Sequence, residues 1–270
     1  MSRQQLDAAR ELLTLHLSSP FIDDLSGRDW ENVLAAVAGG ERRITGCNRP
    51  WPDVYLPGPA GHPPVGVSVK TEAVRRGALR AWDLLGQSED LIIARPAPES
   101  LFGPGERLET VSADILGARV IEAFNERVVG RYAWDRIAIL LRLPGPQLSE
   151  FIYWTQPAQT YDPAQWWWRD SGRARPGNRN ICAYRRTIDP DGPTRPAALR
   201  WTSGGKQLYI RYRIPPDADV FRVEHRLSSA EALEELRAAA HWRERALIAE
   251  SAERELSDAL GEMITLCDPR

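Results

Sequence analysis

The chain has 270 residues, 43% of them hydrophobic, which is enough to bury a substantial core in one large domain or one domain with a sizeable elaboration. No run of about 18 apolar residues occurs that could span a membrane as a helix. Three cysteines (Cys47, Cys182, Cys267) and four histidines (His16, His62, His225, His241) lack the spacing of a disulfide framework or a zinc site. The start, "MSRQQLDAARELLTLHL", lacks the basic, apolar and small-residue sections of a secretory signal, so the cytoplasm is the expected compartment. The formal net charge of −2 is unevenly spread. Arg169 to Arg213 holds eleven basic residues against three acidic ones, a local +8 that leaves −10 for the rest and suggests a surface facing a polyanion.

In chain order, the first segment predicts a helix from the spacing of Leu6, Ala9, Leu12, Leu13 and Leu17. "SGRDWENVLAAVAGG" predicts a second, with Ser26 as N-cap, Trp30, Val33, Leu34 and Val37 on one face, and Gly39-Gly40 as the stop. Glu31 falls beside that apolar face. "DVYLPG" reads as a short strand, and "VGVSVKT" alternates, with Val65, Val67 and Val69 on one side and Gly66, Ser68 and Lys70 on the other. "EAVRRGALRAWDLLG" reads as a helix with Val74, Leu79, Trp82 and Leu85 available for a core face, and "DLIIARPA" as a buried strand.

Further on, a helix is expected around Asp114 to Val129, and strands at "RIAILLRL" and "EFIYWTQP". A loop-rich stretch covers "YDPAQWWWRDSGRARPGNRN". "AALRWTSGGKQLYIRYRI" reads as a hairpin turning at Ser203-Gly204-Gly205-Lys206. The C-terminal part opens with a Ser228 to Glu231 capping box and reads as helical. The fold class is therefore α/β, with a central mixed sheet flanked by helices and a β-rich, loop-rich elaboration.

Lys70 is one of only two lysines, the other being Lys206, in a chain that otherwise uses arginine. A carboxylate at one strand end (Asp53), with Ser68 and Lys70 alternating on the next strand, is close to what a metal-dependent phosphodiesterase needs. Oxygen ligands hold Mg²⁺, and a lysine orients or deprotonates the attacking water. Lysine suits this because its pKa moves on burial, whereas arginine stays charged.

On Pro52-Asp53 and Ser68-Val69-Lys70, 17 positions apart from Asp53 to Lys70, the chain resembles the PD-(D/E)xK nuclease superfamily, and within it a type II restriction endonuclease. The resemblance covers roughly Trp30 to Pro96. It implies a core in the order α-β-β-β-α-β, a helix glutamate for which Glu31 is the match, Mg²⁺ as cofactor, and duplex DNA as partner. It also implies roles: Asp53 as metal ligand, the Val69 carbonyl as a further ligand, and Lys70 acting on the water. Ser68 stands where the family usually has Asp or Glu. Asp83 and Glu72 are the two candidates for the missing acid, the first on the following helix and the second on the Lys70 face.

"AQWWWRDSGRARPGNRN" supplies the candidate recognition loop. Arg169, Arg173, Arg175 and Arg179 suit phosphates or guanine edges, and Asn178 and Asn180 suit adenine. Arg185, Arg186, Lys206, Arg211 and Arg213 extend the basic surface, Tyr209, Arg211 and Arg213 sharing a strand face. At least one of Trp166, Trp167 and Trp168 is expected to pack inward. The expected organisation is one nuclease domain over 1–270: a core near 26–145, a recognition elaboration near 146–226 and a helical region over 227–270. Cutting both strands of a symmetric site favours a homodimer. The competing expectations are a structure-selective repair or recombination nuclease, and a non-catalytic DNA-binding protein with a degenerate core.

Overall fold

The computed structural model describes residues 1–18, 25–42, 52–58, 61–74, 80–96, 100–129, 134–145, 148–172, 178–186 and 198–224, together with the helical positions Glu234 and Arg237. The Ser228 to Glu231 capping box, and the expected C-terminal helix apart from those two positions, lie outside the described residues.

Reciprocal capping boxes start both N-terminal helices. In α1 (Arg3–Leu17) the Ser2 hydroxyl accepts the Gln5 N–H while the Gln5 side chain accepts the Ser2 N–H. In α2 (Gly27–Ala38) Ser26 and Asp29 make the same exchange, and Gly39 ends the helix at φ 65°, a left-handed value that glycine adopts without penalty. Then follow β1 (Glu41–Arg42), β2 (Val54–Leu56), β3 (Val65–Ala73), a single helical turn α3 (Ala81–Leu84), β4 (Ser88–Ala94), α4 (Ala113–Val129), β5 (Arg136–Leu143) and β6 (Leu148–Pro157). Five more strands close the described chain: β7 (Trp166–Asp170), β8 (Asn180–Arg185), β9 (Leu199–Thr202), β10 (Gln207–Arg213) and β11 (Asp219–Glu224).

Six strands form one mixed sheet in the order β1-β2-β3-β5-β6-β11. All its neighbours are antiparallel except β3 and β5, which run parallel from Val67 beside Arg136 to Ala73 beside Arg142. A parallel neighbour needs a crossover, and α4 is the long helix in this one. With α3 and β4, which intervene between β3 and α4 in the chain, set aside, α2, β1, β2, β3, α4 and β5 run helix, three strands, helix, strand. The other sheet, β4-β10-β9-β8-β7, is wholly antiparallel.

Strand alternation sorts the side chains into two cores. Val67, Val69, Ala138, Leu140, Phe151, Tyr153, Phe221 and Val223 pack with the inward faces of α1 and α2. Trp30 is fully buried there, edge-on to Tyr153 at 5.6 Å. The opposite side of the six-stranded sheet, carrying Ile137, Ile139, Leu141, Ile152 and Trp154, joins α4 and the inner face of the five-stranded sheet in a larger core. At α4, Gly117 lies flat against Trp168: a Cβ there would come within 2.2 Å of the indole ring. Asp114 fixes the contact by accepting the Trp168 N–H at 2.7 Å.

The structure corrects three expectations. No helix begins at Glu72, because β3 continues through Ala73 in register with β5; among the described residues of that stretch Ala81–Leu84 is the helical part, and Leu79 lies outside the described residues. Trp82 is 56% exposed rather than in a core, since a four-residue helix cannot form a full apolar face. The apolar run "DLIIARPA" is a buried strand, as expected: it supplies β4 of the five-stranded sheet, where Leu91 and Ile93 are buried against the shared core, while α4 and β5 give the first sheet its helix-strand pair. The three tryptophans belong to a strand, with Trp166 and Trp168 buried in alternation and Trp167 on the other side.

Candidate functional site

Asp53 directly precedes β2, where its N–H donates to the Val67 carbonyl at 2.9 Å. That bond belongs to the antiparallel pairing that sets Val54 beside Val67, so register alone brings Asp53 to Ser68, Val69 and Lys70. One carboxylate oxygen, Oδ2, collects all three donors. It accepts the Val69 N–H at 2.6 Å and the Ser68 hydroxyl at 3.1 Å, and lies 3.7 Å from the Lys70 Nζ. Ser68 is fully buried, whereas the Asp53 and Lys70 side chains are 32% and 20% exposed. The hydroxyl therefore acts from below as a fixed donor and the charged ends face solvent.

Glu31 reaches the same place from α2. Burial pushes its carboxyl pKa up, the Arg42 guanidinium that donates to it at 2.9 Å pulls it down, and the neighbouring Asp53 charge raises it again; the net direction is upward. Asp53 and Lys70 both act on Glu31, so the helix glutamate and the strand pair share one electrostatic environment. Beneath Lys70 lies Trp134, with its ring centroid 5.2 Å from the ammonium. Trp134 is buried, and no sequence spacing links it to the motif.

The two candidates for the missing acid lie in other surroundings. Glu72 shares the Lys70 face two residues on, but the charges it feels are Arg142 and Glu89; burial is the largest influence and its carboxyl is pushed up. Asp83 is exposed in α3, where it accepts the Arg80 N–H at 2.9 Å and so caps its own turn. Glu31 is thus the acid coupled to Asp53. Among the described residues no group of three or more His, Cys, Asp or Glu is gathered as for a metal cage.

The basic candidates are dispersed. Arg173 and Arg175 lie outside the described residues. Arg179 is committed to structure: it forks onto Asp170 through Nε at 2.6 Å and Nη2 at 3.0 Å, and donates to the carbonyls of Leu108 and Val111. Asn178 packs against Gly204, and the Asn180 carbonyl accepts the Ser171 N–H at 2.9 Å. Lys206 occupies the β9-β10 turn with φ 50°, as the hairpin reading expects. Arg211 pairs with Asp90 at 2.6 Å and Arg213 donates to the Gly86 carbonyl at 3.2 Å. Arg185 lies over the Trp166 ring at 5.5 Å, and Arg186 is exposed at the end of β8. Arg169 is exposed on β7 over Tyr184 and Trp167.

No helix among the described residues is long and apolar enough to cross a membrane. No family model matches the chain, and no curated protein or solved structure matches it either.

Proposed function

We propose that the chain is a Mg²⁺-dependent endonuclease that hydrolyses phosphodiester bonds of specific duplex DNA, as a type II restriction enzyme does. The observation that carries this reading is the gathering at Asp53. One carboxylate is held by a buried hydroxyl and a backbone N–H, with an ammonium at 3.7 Å and the Glu31 carboxyl acting on the same spot. The helix-strand-strand-strand-helix-strand order, with its β3-β5 parallel pair, agrees with the core that the sequence resemblance implies.

The donor set suits Mg²⁺ better than a softer metal. Magnesium is commonly held by one or two carboxylates, with waters and substrate phosphates completing its shell, and needs no all-protein cage. Asp53 would serve as one ligand, and the Glu31 carboxyl that shares its surroundings and the Val69 carbonyl would complete the protein's share. Such an ion would supply Lewis acidity and a more acidic bound water. The protein's own groups do the rest. Ser68 and the Val69 N–H fix the carboxylate, and Lys70 places positive charge where a phosphate oxygen gains negative charge during attack. Trp134 limits the rotamers that Lys70 can adopt.

The test is incubation of unmodified plasmid with wild type and Lys70→Ala, in Mg²⁺ and in EDTA, read by gel. Discrete recurring fragments that need both Mg²⁺ and Lys70 are expected; cleavage that persists in Lys70→Ala removes the assignment. Scattered structure-dependent nicks would instead favour a repair or recombination nuclease. One observation favours a second reading: Ser68 is buried where a ligand acid is expected, and no three-acid cluster occurs among the described residues. A degenerate, DNA-binding core predicts binding without cleavage under any divalent ion. Cleavage of both strands at a symmetric site calls for a homodimer, which sedimentation would show.

A further inference from the structure

The outer face of the five-stranded sheet, turned away from the core, combines arginines and aromatic rings in a definite order. Strand register aligns Arg169, Cys182, Arg200 and Tyr209 in one row across β7, β8, β9 and β10. Arg200 lies over the Tyr209 ring at 4.2 Å from its centroid. Beside this row Trp167 and Tyr184 stack at 4.6 Å with 20° between their planes, and Arg169 lies over both rings while donating to the Tyr184 hydroxyl at 3.1 Å. Arg211 also belongs to this face, but Asp90 neutralises it. Among the described residues Arg169 and Arg200 meet no carboxylate; the Arg200 Nε is itself buried, without a hydrogen-bond partner there. Both guanidiniums also act on the Cys182 thiol, where burial is the stronger influence and pushes its pKa up.

Two guanidiniums two strands apart, about 10 Å at ordinary strand spacing, are thus held by rings rather than by any acid among the described residues. Stacking restrains the planar fork, and with the Arg200 Nε buried it is the terminal N–H groups that serve an outside acceptor. The same stacking occupies ring faces that unpaired bases would otherwise use. Charge and geometry therefore favour phosphate oxygens over bases.

We propose that this face, through Arg169 and Arg200 seated on Tyr184, Trp167 and Tyr209, is a sequence-independent contact surface for the phosphate backbone of duplex DNA. The inference rests on the DNA-cleaving reading for the identity of its ligand. It adds Arg200 and Tyr184, which no motif singled out, joins them to Trp167 and Tyr209, and assigns positioning rather than base recognition to this sheet.

The test is anisotropy of two labelled duplexes of unrelated sequence, and of one single strand, titrated with salt in EDTA so that no cleavage intervenes. Each of Arg169→Ala and Arg200→Ala should lower the slope of log affinity against log salt by about 0.9, equally for both duplexes. The wild-type advantage over a single variant then shrinks about 3.5-fold between about 50 and 200 mM salt, and over the double variant about 12-fold. Arg169→Lys and Arg200→Lys should retain the slope, which guards against a folding artefact, as does a circular dichroism melt of each variant. An unchanged slope in folded alanine variants overturns the proposal, as does a loss confined to one sequence or an absence of duplex binding at low salt. Tighter single-strand binding that disappears in Tyr209→Leu overturns it too, because the rings would then be stacking bases. A slope that falls while no cleavage occurs with Mg²⁺ leaves this surface standing and removes the nuclease reading; cleavage with an unchanged slope does the reverse.

Discussion

Asp53→Asn isolates the charge at the centre of the proposed site while keeping the side chain's size. The remaining amide oxygen can still accept the Val69 N–H and the Ser68 hydroxyl, now at 2.6 and 3.1 Å from Oδ2, but both bonds become neutral. Charge-assisted bonds are roughly twice as strong as neutral ones, so about 1 kcal/mol is lost from each. The Lys70 pair is partly exposed and contributes about 0.5 kcal/mol or less after solvent screening. Relief of the repulsion felt by Glu31 offsets part of this, which leaves a net cost of about 2 kcal/mol. For a chain of this size that is a fall in Tm of roughly 4–8 °C, measurable by circular dichroism. Cleavage should fall much further. Removing groups that merely orient metal ligands costs about 10- to 100-fold, and a direct ligand should cost at least about 100-fold in single-turnover plasmid cleavage with Mg²⁺. Cleavage within about threefold of wild type, at the expected Tm, would refute the role given to Asp53.

Three further outcomes follow from packing and charge. Gly117→Ala raises helix propensity by about 1 kcal/mol, yet the added methyl overlaps the Trp168 ring. With overpacking typically costing about 1–3 kcal/mol, a net loss of about 1 kcal/mol is expected in urea unfolding, and a stabilised variant would contradict the packing described. Glu150 is buried; burial opposes its charge, but the Ala81 N–H, Arg80 and Arg222 outweigh that and hold its carboxyl below the ordinary range. A depressed folded pKa stabilises the protein above the unfolded pKa and ceases to do so as pH falls through the folded one. Glu150→Gln should therefore cost about 2 kcal/mol at neutral pH and progressively less in acid, read as Tm differences; a pH-independent difference would exclude the charge as the cause. Asp83→Ala should leave cleavage unchanged and lower Tm only slightly, by the roughly 1 kcal/mol of a lost cap, because its carboxylate serves α3; a cleavage loss of about 100-fold would place Asp83 in the site after all.

Local chemistry made much of this protein legible from its residues. Ser26 with Gly39 bounded α2, the alternation of Val65 to Lys70 marked a strand, and Ser203-Gly204-Gly205-Lys206 marked a hairpin turn, because caps, pleats and turns are decided within a few positions. Asp53, Ser68, Lys70 and Glu31 were identifiable as candidates for the same reason: short spacings on adjoining elements leave few ways for them to meet. Long-range pairing was not legible. Whether "DLIIARPA" joins the first sheet or the second, and whether β3 stops before Glu72, depends on which distant strand offers partners: β10 pairs with β4 across more than a hundred residues, and β5 pairs with β3 across 69. The three tryptophans form a strand rather than the expected loop because β8 returns beside them and Gly117, some fifty residues earlier, makes room for Trp168; the Gly/Pro-rich string between β7 and β8 conceals that pairing. Composition gave the excess of positive charge between Arg169 and Arg213, but only side-chain packing separated Arg179, consumed by Asp170 and two carbonyls, from Arg169 and Arg200, held on aromatic rings without an acid. Charge is a property of the residue; its availability depends on the neighbours that the fold supplies.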